Sequence, residues 1–259
     1  MVAPNQRQPD ATERAQEFDL GHDEFWRFEP GDLLFEERFN KAALQQLFWD
    51  LGEVAYSAQV LQRPSPPGGA LFKLKFFQRY EVLPPYCDLI VQSWDPAIVD
   101  TETAAFTVCT TWGIVGQKLY LVDVFRKKLD FFKIEPAILS MREKYNAGAV
   151  VIEVAGVGRA IGNSLLKREG TRRWMQPVDP DLGKVERAIA QTPKIERKRV
   201  HLPIAAPWLE TFENEIAAFP NSKFADQVDS MVHFLAFLDM RNRWTINLPA
   251  FRQHSERPF

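Results

Sequence analysis

The chain has 259 residues, 46% of them hydrophobic and 25% charged, the proportions of an ordinary globular protein able to bury a sizeable core. A net charge of −2 excludes a molecule whose whole field is basic. No apolar run reaches the about 18 residues of a transmembrane helix. The two cysteines and four scattered histidines give neither a disulfide framework nor a zinc spacing. Met1 to Asp10 is polar and lacks the apolar core of a signal peptide. Cys87 and Cys109 lie in or beside apolar runs and read as small core residues of a reducing compartment.

In chain order, residues 1 to 25 are polar and read as an arm without regular structure. Leu44, Leu47, Phe48 and Leu51 recur at helical spacing and predict a helix over Lys41–Ala58. Pro64-Ser-Pro-Pro-Gly-Gly69 then breaks any regular structure. The expected organisation is a polar N-terminus and helical arm over 1–72, a main domain over 73–240 and a basic tail over 241–259 carrying Arg241, Arg243, Arg252 and Arg257.

Three strands are expected close together, at Asp88–Asp95, Ala104–Trp112 and Lys118–Phe125, the last two joined through Gly113-Ile-Val-Gly-Gln117 as a hairpin. A helix over Phe131–Tyr145 should stop before Asn146-Ala-Gly148, with the glycine as its stop signal. Ala149–Val154 is another apolar run, and Gly156-Val-Gly158 turns into a helix predicted over Arg159–Arg168. Short strands at Trp174–Val178 and Arg199–Leu202 flank a helix over Gly183–Gln191, and helices over Pro207–Ala218 and Asp226–Met240 follow. Strands first and alternating helix and strand afterwards predict an α/β fold, a mixed sheet flanked by helices. A crossover helix places the Ala149 strand parallel to, and beside, the Asp88 strand.

Both of those strands end in a carboxylate. With a period of two, Leu89, Val91, Ser93 and Asp95 share a face, and Pro96 ends regular pairing directly after Asp95. Glu153 ends the other strand at the same edge of the sheet. Asp226 and Asp229, three apart at a helix start, face one way beside the apolar stripe Val228, Met231, Val232 and Leu235. Taken singly, each carboxylate has an ordinary explanation in a salt bridge or a first-turn helix charge. Together, Asp95, Glu153, Asp226 and Asp229 form an all-oxygen, hard-ligand set suited to magnesium or manganese and unlike a zinc site. Two such ions about 3.5–4 Å apart can clamp the attacking and leaving oxygens of a phosphodiester cleavage. Packed together without metal, these carboxylates should raise one another's pKa values.

Ser93-Trp-Asp95-Pro-Ala97, Val151-Ile-Glu153-Val-Ala-Gly-Val-Gly158 and Ala225-Asp226-Gln-Val-Asp229, in this order, resemble the C-terminal nuclease domain of the large terminase subunit of tailed bacteriophages. Gly183-Lys184-Val-Glu-Arg187-Ala and Arg199-Val-His-Leu-Pro203 match the family's later segments. Gly31-Asp-Leu-Leu-Phe35 through Gly68-Gly-Ala-Leu-Phe72 is similar to the connection that follows the family's ATPase, so the likeness extends over about residues 28 to 240. The resemblance implies a ribonuclease H-like fold and a metal-dependent endonuclease. That enzyme would bind two Mg2+ or Mn2+ on Asp95, Glu153, Asp226 and Asp229 and cut concatemeric double-stranded DNA during packaging in the cytoplasm of a bacterial host. Its implied partners are double-stranded DNA, the phage portal, the small terminase subunit and a separate ATPase domain, with no membrane. The family's last motif often begins with two adjacent acidic residues. Ala225 takes the first of those positions here, so Asp226 and Asp229 both remain as ligands. No Gly-x-x-x-x-Gly-Lys-Ser/Thr occurs in these residues, so the chain is not expected to hydrolyse ATP.

The resemblance also implies that Lys184 and Arg187 carry positive charge toward the cleaved strand. Arg159, at a helix start after the two glycines, is a candidate phosphate contact. Asp123 is expected to pair with Arg126 or Lys127, and His233 to be a core-edge histidine one turn beyond Asp229. The clusters Arg126-Lys-Lys128, Arg172-Arg173 and Arg197-Lys-Arg199 can follow a DNA backbone, which requires charge and no base reading. Two other readings share these residues. One is a Holliday-junction resolvase or transposase-like nuclease of the same fold. The other is a catalytically inactive module that docks DNA or a portal.

Overall fold

The structure, a computed structural model, describes residues 16–22, 24–28, 33, 36–62, 70–98, 106–179, 182–222 and 224–244. The Pro64–Gly69 stretch, Arg252 and Arg257 lie outside them. Contacts divide the chain into two units, Met1–Gly69 and Ala70–Phe259. Among the described residues no helix is long and apolar enough to cross a membrane.

In the first unit, β1 (Gln16–Gly21) and β2 (Glu24–Phe28) form an antiparallel hairpin that begins in the stretch read as irregular and runs past its end at residue 25. Polar composition concealed it because both strands alternate charged with aromatic or aliphatic residues. Helix α1 (Lys41–Gln59) starts at Asn40, whose Oδ1 accepts the Ala43 N–H at 2.8 Å. It is kinked at Gly52, where φ 76° and ψ 167° leave the helical region.

The second unit is built on seven strands: β3 (Gln78–Tyr80), β4 (Leu89–Asp95), β5 (Thr107–Val115), β6 (Lys118–Lys127), β7 (Ala149–Glu153), β8 (Met175–Val178) and β9 (Val200–Pro203). Their order across the sheet is β3-β9-β6-β5-β4-β7-β8. The sheet is mixed: β4, β5 and β6 pair antiparallel, and β4 with β7 and β7 with β8 pair parallel, as do β6 with β9 and β9 with β3. Strand β5 continues through Gly113 to Val115, so the hairpin turn falls at Gly116-Gln117. Strand β3 went unread because three residues carry no periodicity and form only by pairing with β9.

Five helices cover this sheet: α2 (Phe131–Tyr145), α3 (Gly156–Leu166), α4 (Lys184–Glu196), α5 (Leu209–Ala218) and α6 (Asp226–Trp244). Helix α2 ends on Asn146 in the left-handed conformation, so asparagine is the stop and Gly148 is not. Helix α3 begins at Gly156, earlier than Arg159. Helix α6 runs past Met240 into the stretch read as tail. Two cores lie on opposite faces. Val91, Val108, Trp112 and Leu121 pack with α6 residues Val228, Met231, Phe234 and Leu235 and with Ile195 of α4 and Phe212 of α5. Trp94, Cys109, Val150 and Ile152 pack with Ile134 and Ile138 of α2 and Ile161 and Leu165 of α3. The fully apolar Ala149–Ile152 run serves both faces, as a central parallel strand requires. Cys87 and Cys109 are free thiols, Cys109 buried.

Candidate active site

The β4–β7 register runs Val91 with Ala149 through Trp94 with Ile152, which aligns Asp95 with Glu153 at the carboxyl-terminal edge. Directly paired residues face the same side of a sheet, here the side covered by α6. The first turn of α6 brings Asp226 and Asp229 to that edge.

Two buried polar contacts fix the helix. The Ser230 hydroxyl donates to the Ser93 carbonyl at 2.8 Å, lies 2.7 Å from Thr110 Oγ1, and accepts the Thr110 N–H at 3.1 Å. At the helix start, Glu215 of α5 accepts the N–H groups of Gln227 at 2.7 Å and Val228 at 3.1 Å, and the Gln227 side chain at 2.7 Å. A carboxylate on these otherwise orphaned donors caps α6 from outside its own sequence. Neither Ser230 nor Glu215 was singled out beforehand. Each partner lies on another element, and no local spacing announces it.

The four carboxylates form one electrostatic cluster. The Asp95 carboxyl is pushed well above the usual carboxylate range by burial, then by the charges of Asp229, Glu153 and Asp226, with Lys184 opposing. Burial also raises Glu153, against the Arg187 charge, and raises Asp226, against a hydrogen bond from the Phe106 N–H at 3.1 Å. Asp229 is 2% exposed. It accepts from the Lys184 ammonium at 2.5 Å and lies 3.9 Å from the Arg187 guanidinium, which is 3.6 Å from Glu153. Burial alone would lower the Lys184 pKa, but its bond to Asp229 and the charges of Asp229, Asp95 and Asp226 raise it.

The structure thus brings Asp95, Glu153, Asp226, Asp229, Lys184 and Arg187 together. It directs Arg159 elsewhere, since its Nε donates to the Val154 carbonyl at 3.0 Å. His233 is more deeply placed than the edge position expected for it. It is 1% exposed, its Nε2 lies 3.7 Å from Glu153 Oε1, and burial with the Arg187 and Lys184 charges lowers its pKa to about 3, so it is neutral. Asp123 does not pair with Arg126 or Lys127. It accepts from the Tyr145 hydroxyl at 2.6 Å and lies 3.7 Å from Lys144. Residues three apart on a strand face opposite ways, which separates Asp123 from Arg126.

The donor chemistry is that of a hard divalent cation: four carboxylates whose crowding a cation would relieve, with no thiolate among them. Among the described residues no three His, Cys, Asp or Glu side chains are grouped so as to hold one ion, and Asp229 is engaged by Lys184 instead.

The turn after Glu153 depends on glycine. Gly156 has φ +48°. A Cβ on Gly158 would stand 1.9 Å from the Glu153 carbonyl oxygen and 3.6 Å from Pro96 Cδ, so α3 packs directly on the backbone beside both strand-end carboxylates.

Comparison with curated proteins gave no match. Among solved structures, the chain is similar to a large terminase from a thermophilic bacteriophage, with a TM-score of 0.57 at 13% identity over 76% of this chain and 52% of that one. The same terminase in complex with ADP gives 0.56 at 14% identity, over 75% and 51%. The large terminase nuclease from thermophilic phage G20c with bound magnesium gives 0.50 at 16% identity, over 66% of this chain and 98% of that one. The chain therefore spans about half the length of the first terminase and nearly the whole of the G20c nuclease structure. At these identities the likeness establishes the ribonuclease H-like fold. The family model described as Terminase RNaseH-like domain matches residues 92–237, more than half of the chain and every carboxylate of the cluster. This chain belongs to the terminase RNaseH-like domain family.

Proposed function

We propose that the chain is a divalent-metal-dependent endodeoxyribonuclease of a phage DNA-packaging terminase, cutting concatemeric double-stranded DNA. The observation that carries this reading is the convergence of Asp95, Glu153, Asp226 and Asp229 on the face covered by α6, where burial and the other three charges raise the Asp95 pKa. The G20c nuclease, which shares the fold, was crystallised with magnesium. Asp95, Glu153, Asp226 and Asp229 would hold two Mg2+ or Mn2+. When bound, such ions supply Lewis-acid activation of the attacking water and neutralise charge on the leaving oxygen.

The chain's own residues do the remaining work. The carboxylates supply the negative charge that concentrates cations at this edge. Lys184 and Arg187, now engaged by Asp229 and Glu153, supply cations that can turn to the phosphate as the carboxylates take up metal. His233 is neutral and buried against Glu153, and restricts where that carboxylate can point. Double-stranded DNA is the substrate. The ATPase domain, the portal and the small terminase subunit are the partners this role calls for, the first by analogy with the phage large terminase that was crystallised with ADP.

Plasmid nicking with Mg2+ or Mn2+ is the direct test. Asp95→Asn is expected to abolish it while leaving the fold intact by circular dichroism. Unchanged cleavage by that variant would sink the assignment.

A further inference from the structure

We propose that Arg126, stacked on the ring of Phe106 with Phe224 beside it, binds the DNA backbone at a phosphate neighbouring the one that is cut. The proposal rests on the nuclease reading and adds to it a residue from the far side of the site.

Register locates Arg126. Asp95 pairs with Val108 on β5, and Val108 pairs with Arg126 on β6. Directly paired residues share a face, so Arg126 rises on the side of the sheet that carries the carboxylates. It stands two strand spacings from Asp95, about 10 Å. Glu153 with Arg187 lies one strand to the other side of Asp95. The row across the sheet edge therefore reads cation, carboxylates, cation, over about 14 Å.

The guanidinium carbon of Arg126 lies 3.5 Å from the Phe106 ring centroid and 5.6 Å from that of Phe224. The two rings meet edge to face at 5.6 Å, and the Lys128 ammonium lies 5.5 Å from the Phe106 centroid. Both phenylalanines belong to the site. The Phe106 N–H donates to Asp226, and Phe224 is two residues before it. The Nε of Arg126 is buried without a hydrogen-bond partner among the described residues. Ring faces hold a guanidinium in one plane without neutralising it. The Arg126 charge lowers the Asp226 pKa, yet no described carboxylate pairs with it directly, so this planar, oriented guanidinium is suited to fork onto a phosphate. An arginine serving only as counterion to Asp226 would contact its oxygens, which the Phe106 amide does here instead.

The test is fluorescence anisotropy of the full chain on a short DNA duplex in Ca2+, titrated over a range of NaCl. Arg126→Ala is expected to weaken binding about tenfold and to make the slope of log affinity against log salt shallower by about 1, the signature of one lost phosphate contact. Manganese affinity by calorimetry should not fall, as no metal ligand is lost and a positive charge near Asp226 is removed. Arg126→Lys keeps the charge and loses the fork, so its slope should match the wild type at reduced affinity. The Phe106→Leu, Phe224→Leu double variant should behave likewise, and these two variants carry the test if Arg126→Ala does not fold. Wild-type affinity and slope in Arg126→Ala would overturn the proposal. So would a gain in manganese affinity with no change in DNA binding, which would make Arg126 a counterion only. In either case the nuclease reading stands if the wild type nicks DNA and Asp95→Asn does not. A wild type that neither binds nor nicks DNA removes both.

Discussion

Gly158→Ala should disable the site without touching a functional side chain. The added Cβ would meet the Glu153 carbonyl oxygen at 1.9 Å and its carbonyl carbon at 3.1 Å, both backbone atoms that no rotamer change can move. Relieving that contact requires α3 and the end of β7 to part by about 1 Å, in an interior packed as tightly as a crystal. Overpacking of this kind costs about 1–3 kcal/mol. At about 2–4 °C per kcal/mol for a unit of this size, Tm should fall by several degrees. The rate should suffer more, because Glu153 itself moves: a misplacement of about 1 Å in a catalytic constellation costs roughly 100-fold.

Two neighbouring glycines calibrate the effect. A Cβ on Gly156 meets nothing within 4 Å, so Gly156→Ala carries only the strain of φ +48°, about 1–2 kcal/mol, and should keep most of its cleavage rate. On Gly162 the Cβ meets the flexible tip of Met175 at 3.1 Å, and alanine gains helix propensity, so Gly162→Ala should be close to neutral. Thermal denaturation and plasmid nicking on the three variants check the order. Wild-type nicking and Tm in Gly158→Ala would refute the reasoning, as would an equal loss of rate in Gly156→Ala.

Ser230→Ala should cost about 1–3 kcal/mol, because it strips the hydroxyl that the buried Thr110 amide and Ser93 carbonyl both use; urea denaturation measures it, and a loss below about 0.5 kcal/mol would count against the clip. Glu215→Ala removes the cap of α6 and should destabilise by about 0.5–2 kcal/mol while weakening manganese binding through Asp226 and Asp229; wild-type calorimetry and stability together would contradict it. Because the folded-state pKa of Asp95 is raised above its unfolded value, its contribution to stability is fully present below pH about 4 and is lost as pH rises through the raised value. In EDTA, the stability difference between wild type and Asp95→Asn should therefore shift against the wild type as pH rises from 4, and a shift in its favour would overturn the sign.

The strand-end pair was legible because short-range rules determine it. An apolar run stopped by Pro96 fixes where Asp95 ends β4, and a crossover helix of ordinary length brings β7 alongside in parallel. Asp226 and Asp229 were legible from their spacing beside an apolar stripe. What escaped were contacts made across the fold: Ser230 with Ser93, Glu215 with the start of α6, and Lys184 with Asp229. A sequence states which groups can bond but not which element will come to them. Arg126 shows the same limit from the other direction. Its nearest acidic residue in sequence, Asp123, faces away from it across the pleat, and its real neighbours, Phe106 and Phe224, come from two distant segments.

Charge balance connects these contacts to what the site can do. Four carboxylates at the sheet edge face Lys184 and Arg187, with the Arg126 charge acting on Asp226, and the one imidazole beside them contributes none, because burial and the Arg187 and Lys184 charges keep His233 neutral. Burial first, and then the charges of Asp229, Glu153 and Asp226, push the Asp95 pKa well above the usual carboxylate range. A proton and a divalent ion compete for the same oxygens. In the metal-free form Asp229 is engaged by the Lys184 ammonium, an exchangeable partner that a stronger cation would displace without any change in the backbone that Ser230, Glu215 and Gly158 keep in place.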